Sequence, residues 1–172
     1  IGVTEYYYQI DEQEPIKETT NTYTFTGLQP KTTHTIKVYV KDSSGNTSEI
    51  KTSTVTTIDI TKPEITNVTS TPTMTELRIS VDATDNVGVT EYWFSIDDNE
   101  FIKEESNTHT FTNLTVNSSH TIKVYVKDES GNTSDTTTKT FNTEPDSEKP
   151  VISNVTTNAT ETEINVTVTA TD

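Results

Sequence analysis

The 172-residue chain reads as an all-β protein made of tandem seven-stranded antiparallel β-sandwiches. Three observations predict this. Apolar and polar residues alternate with a period of two: Leu77, Ile79, Val81 and Ala83 against Arg78, Ser80 and Asp82, and Ile36, Val38 and Val40 against Lys37, Tyr39 and Lys41. No stretch has helical periodicity, and turn signals recur every eight to twelve residues. Finally, TIKVYVKDSSGNTS from Thr35 returns as TIKVYVKDESGNTS from Thr121, a spacing of 86 residues.

The repeat sets the organisation. From Gly2 to Ser48, 31 of 47 positions match the segment that starts at Gly88, which points to tandem duplication. Farther on the offset grows by one residue: Lys62-Pro63 matches Lys149-Pro150, and Ala83-Thr84-Asp85 matches Ala170-Thr171-Asp172. The linkers DITKPEI (59–65) and DSEKPVI (146–152) mark unit starts, because proline begins an edge strand without needing a ladder donor. Residues 1–58 are then the back part of one unit, 59–145 a complete unit and 146–172 the front part of a further one, so the chain reads as a piece of a longer array.

Within the complete unit, strands are expected near 64–69, 76–83, 89–96, 100–104, 108–113, 119–127 and 136–143. IDDNEFI (96–102) and its counterpart IDEQEPI (10–16) are hairpin turns, with Pro15 implying a sheet edge. DESGN (128–132) is another turn, with Gly131 supplying positive φ. The 40 threonines suit solvent-facing strand positions, since β-branched side chains favour the pleated backbone.

Composition narrows the function. Twelve basic residues stand against 27 acidic ones, a net charge of −15, so nucleic acid is a poor partner. No apolar run approaches the roughly 20 residues of a membrane helix, and the lack of Cys removes disulfides and thiolate metal sites.

GLQPKTTHTIKVYVKDSSGNTS (27–48) and DNVGVTEYWFSID (85–97) resemble the strand E–F–G and strand C regions of fibronectin type III domains and of the bacterial immunoglobulin-like (Ig-like) repeats of microbial cell-surface proteins. That resemblance implies a tyrosine corner: Leu28 and Pro30 fit it, but His34 takes the Tyr position, and Val116 and His120 replace Pro and Tyr in the second copy. It also implies an extracellular, non-catalytic structural role, as a stalk, filament or spacer.

Candidate sites follow. His34, His109 and His120 lack a second His in the same unit at ligand spacing, and no nucleophile motif is present. Paired Asp97-Asp98 fall in an exposed turn, and no enzymatic role is expected. Calcium is the one cofactor the residues suggest: in this fold Asp59, Asp85, Asn86 and Asp128 come from three loops that meet at one pole, and hard oxygen ligands from several loops suit Ca²⁺. Tyr7 and Trp93 share a strand C position that could contact a glycan or partner, the basis of an alternative reading as an adhesive module for a glycan or host protein. Glycosylation sequons lie at Asn67, Asn113, Asn117, Asn154, Asn158 and Asn165, and also at Asn46 and Asn132. Partners are expected to be neighbouring copies or repeats of the chain, head to tail, either as units of one continuous longer chain or with the tail strands of one copy completing the head of the next.

Overall fold

The computed structural model describes residues 2–172. Among the described residues every regular element is a strand, and every pairing is antiparallel. β1 (Val3–Ile10), β2 (Ile16–Glu18), β3 (Thr33–Asp42) and β4 (Lys51–Thr56) form one sheet in the order β2-β1-β3-β4. The short strand that follows Pro15 is at its edge, as the proline requires.

The middle of the chain builds two sheets. β5 (Glu64–Pro72), β6 (Leu77–Thr84) and β9 (Thr108–Phe111) form one, in that order. β7 (Val89–Ile96), β8 (Ile102–Glu104), β10 (Ser119–Asp128) and β11 (Thr137–Asn142) form the other, in the order β11-β10-β7-β8. The chain ends in a hairpin of β12 (Val151–Ala159) and β13 (Ile164–Thr171).

Strand limits differ from the sequence expectation where side chains decide. β5 continues to Pro72 because Thr71 and Pro72 pair with Arg78 and Leu77 at the end of the hairpin. β9 stops at Phe111, before Asn113 turns the backbone at φ 59°. Asp97 and Asp98 both take positive φ and Asn99 N donates to Ile96 O at 2.9 Å, a tight hairpin turn that suits Asp.

The core lies between the two middle sheets. Inward positions of β6 and β10 alternate with polar ones, so Leu77, Ile79 and Val81 meet Phe94, Ile122, Val124 and Val126, all at 0% exposure. Val68 and Phe111 belong to the same buried cluster. Each such side chain adds roughly 1.5–3 kcal/mol by leaving water. Lys139 Nζ ties the layers together by donating to Val68 O at 2.8 Å.

In the first copy the counterpart of β9, expected from the repeat, does not form. Tyr23 to Phe25 occupy its place but lie outside any strand. In the middle unit β9 pairs with β6, and the first copy has no β6 counterpart to supply that ladder.

Candidate functional site

Inward parity along β10 continues past Val126 to Asp128, which places a carboxylate where the core meets the pole. Asp59 reaches the same point from the linker and Asp85 from the loop after β6. One carboxylate oxygen from each lies within 4.8 Å of the other two. Asp128 is 3% exposed and Asp59 9%.

Backbone and amide donors hold these groups. Asp128 Oδ1 accepts from Asn132 N at 2.8 Å and its Oδ2 from Asn132 Nδ2 at 2.7 Å, while the same Nδ2 is 3.3 Å from Asp59 Oδ2. Asp59 Oδ1 accepts from Thr61 N at 3.1 Å and Asn86 Nδ2 at 3.2 Å. Burial opposes the charge on Asp59, yet the Thr61 amide and the Asn86 side chain help keep its carboxyl below the usual range. Asp85 Oδ1 accepts from Val87 N at 2.9 Å and Gly88 N at 3.1 Å, whereas its Oδ2 is sealed from solvent and accepts nothing. The four residues singled out from the sequence are thus neighbours. Asn132, which sequence reasoning treated as a turn residue and a sequon, is the amide that joins two of them; its place four residues after Asp128 was the available signal.

The histidines act as braces. His120 Nδ1 lies 2.7 Å from Asp97 Oδ2, and its Nε2 lies 2.7 Å from Ser118 Oγ. That contact order imitates a Ser-His-Asp triad, but Ser118 has one hydrogen and donates it to Thr115 O at 2.5 Å, so the imidazole does not activate it. Asp11, His34 and Thr32 repeat the pattern, with both contacts at 2.8 Å. At the corner, the His therefore grips the preceding hairpin turn rather than upstream backbone. His109 sits apart, 2.9 Å from Glu104 Oε1.

Tyr7 and Trp93 are half-buried and packed rather than free. Tyr7 stacks on Tyr39 with centroids 4.6 Å apart, and Trp93 on Tyr125 at 5.5 Å. Lys41 and Lys127 ammonium groups stand 5.1 and 5.4 Å from their rings, and Trp93 Nε1 donates to Glu91 Oε2 at 3.1 Å. Asn46, Asn67, Asn113, Asn117, Asn154, Asn158 and Asn165 are exposed, while Asn132 is half-buried at the carboxylate cluster.

Among the described residues, no helix is long and apolar enough to cross a membrane. No curated protein matches the chain in sequence. Among solved structures, the rat CD45 extracellular region, domains d3-d4, aligns with TM-score 0.57 and 13% identity over 77% of this chain and 75% of that one. Chitinase ChiA74 from Bacillus thuringiensis aligns at 31% identity and TM-score 0.43 over 56% of this chain, which spans 15% of the chitinase. Chicken CNTN1 FN1-FN3 domains align at 16% identity and TM-score 0.42, over 81% of this chain and 56% of theirs. Residues 57–124 match the family described as bacterial Ig domain, and the sandwich they help to build has the Ig-like, fibronectin type III-like fold.

Proposed function

We propose that the chain is a non-catalytic structural segment of an extracellular microbial surface protein, a stalk, filament or spacer whose units can join head to tail by strand complementation. The observation that carries this reading is a pair of matching open faces. β1 and β3 leave an open trough of about 410 Å³ lined by Tyr8, Ile10, Tyr23, Phe25, Ile36 and Val38. At the other end Val155, Ile164, Val166 and Val168 are 52–71% exposed. Their counterparts Val68, Leu77, Ile79 and Val81 are 0–3% exposed, because in the middle unit they cover the same face that the trough leaves open. A front hairpin like β12–β13 fits this trough, supplied by a second copy or by a preceding unit of the same chain. Near-identical units add length rather than distinct sites, and the bacterial Ig match of residues 57–124 supports a surface location.

Sedimentation of the 172-residue polypeptide tests the joint. The reading expects multiples of 19.1 kDa that grow with concentration, and a monomer after Val166→Asp in the tail hairpin. A single 19.1 kDa species at every concentration would sink strand complementation and leave a plain spacer.

The half-exposed Tyr7–Tyr39 and Trp93–Tyr125 stacks favour a second reading, adhesion to a glycan. Retention on a glycan array that Trp93→Ala abolishes in a folded protein would support it, and an array without signal would remove it.

A further inference from the structure

We propose that Asp59, Asp85 and Asp128 hold a calcium ion where the linker meets the pole of the middle sandwich. This inference goes beyond the spacer reading and does not depend on head-to-tail joining. Three carboxylate oxygens within 4.8 Å of one another concentrate negative charge where two of the residues have little contact with water. Repulsion of that kind is costly unless a cation sits among the oxygens.

A second observation points to the same place. Asp85 Oδ2 is cut off from solvent and accepts no hydrogen bond, although its partner Oδ1 accepts from Val87 and Gly88. An anionic oxygen buried without a donor is expensive, and a bound cation is the ligand that would satisfy it. Both carboxylate oxygens of Asp59 and of Asp128 accept hydrogen bonds, so Asp85 Oδ2 is the one carboxylate oxygen of these three residues without a donor.

The donor set selects the ion. All three ligands are oxygen, and the cluster contains neither His nor Cys, which disfavours zinc and copper. The ligands come from a linker, a loop and a strand end, an irregular set that suits the flexible six- to eight-fold shell of calcium better than the near-octahedral demand of magnesium. Asn86 beside them is exposed, so water can complete the shell. Since Asp59 belongs to the linker that follows the first copy, the ion would fasten that linker to the middle unit, across which Lys31 Nζ and Glu129 Oε2 already pair at 3.0 Å.

The test uses the intact 172-residue chain, stripped by chelator and kept dilute enough to stay monomeric. Trp93, the single tryptophan, reports unfolding of the middle unit. Calcium chloride at about a hundred times Kd should raise its Tm by on the order of 10 °C over the chelated protein. Sodium chloride at matched ionic strength should not. Calorimetry should show a saturable site that Asp85→Asn and Asp59→Asn remove and that Asp42→Asn, in the first copy, leaves alone. Absence of both heat and Tm shift overturns the proposal, as does a shift that sodium reproduces or that persists in both variants. An equal response to magnesium overturns the assignment to calcium. If either variant fails to fold by circular dichroism, the wild-type isotherm with its sodium and magnesium controls decides.

Discussion

Residues 35–42 and 121–128 spell the same TIKVYVKD and keep the same register, Ile36 opposite Ile10 and Ile122 opposite Ile96. Their surroundings differ. Ile122, Val124 and Val126 are wholly buried under β5 and β6, whereas Ile36, Val38 and Val40 are half-buried, with no front hairpin over them. Local sequence therefore specifies the strand and its pairing, and a hairpin from elsewhere decides whether that strand belongs to a core. β12 and β13 teach the converse: they pair as β5 and β6 do, even to the same register shift between Ile152 and Asn154 as between Ile65 and Asn67, yet bury nothing.

Substitutions that act on one copy and spare the other probe this contrast most strongly. Ile79→Ala removes a wholly buried side chain from the middle core and should cost about 2–5 kcal/mol in denaturant unfolding followed by Trp93 fluorescence. Val38→Ala, in the same fold position as the buried Val124, should cost distinctly less in a dilute sample, because the site is already open to water. Equal costs would mean that the first copy is covered in solution.

Acid should act on both copies through the histidine braces. Burial pushes Asp97 up, but its hydrogen bonds from His120 and the Thr121 amide outweigh that and hold it below the ordinary carboxylate range. In the first copy His34 and the Thr35 amide likewise hold Asp11 low. The unfolded chain therefore takes up these protons first. The stabilisation is complete above an unfolded pKa of about 4 and disappears as pH falls through the lower folded values. Asp97→Asn should flatten that acid limb for the middle unit alone, and a thermal melt series from pH 6 down to pH 2 checks it.

The smallest effect belongs to the outer face. Trp93→Ala removes a stack on Tyr125 and a contact with Lys127, and should cost about 0.5–1.5 kcal/mol beyond lost area, with no change in oligomeric state. Tyr7→Ala should behave alike in the first copy. A larger cost at Trp93 would mark this face as part of a domain contact.

Much of this was legible in the sequence. Period-two alternation located the strands of the middle unit, Pro15 the edge strand of the first copy, Gly131 a turn at φ 88°, and the loop order brought Asp59, Asp85 and Asp128 together. What escaped depends on partners far along the chain. Tyr23 to Phe25 have the residues of a strand but no ladder to join. The His120–Asp97 brace spans 23 positions, and although His34–Asp11 repeats the spacing, nothing local announces that a corner histidine reaches sideways to a turn. Asn132 looked like a sequon because the chain around it is rich in Asn and Thr, and its tie to Asp59 crosses 73 residues.

Hydrogen exchange of the backbone amides of 35–42 and 121–128, read in one sample across a concentration series, tests the central claim most directly. In dilute solution the account predicts protection of β3 lower by orders of magnitude than that of β10, since opening of an uncovered strand needs far less than global unfolding. As concentration rises, β3 and the β12–β13 hairpin should gain protection together while β10 stays constant. Equal protection of the two strands at every concentration, or a gain in β3 without one in β12–β13, would contradict it.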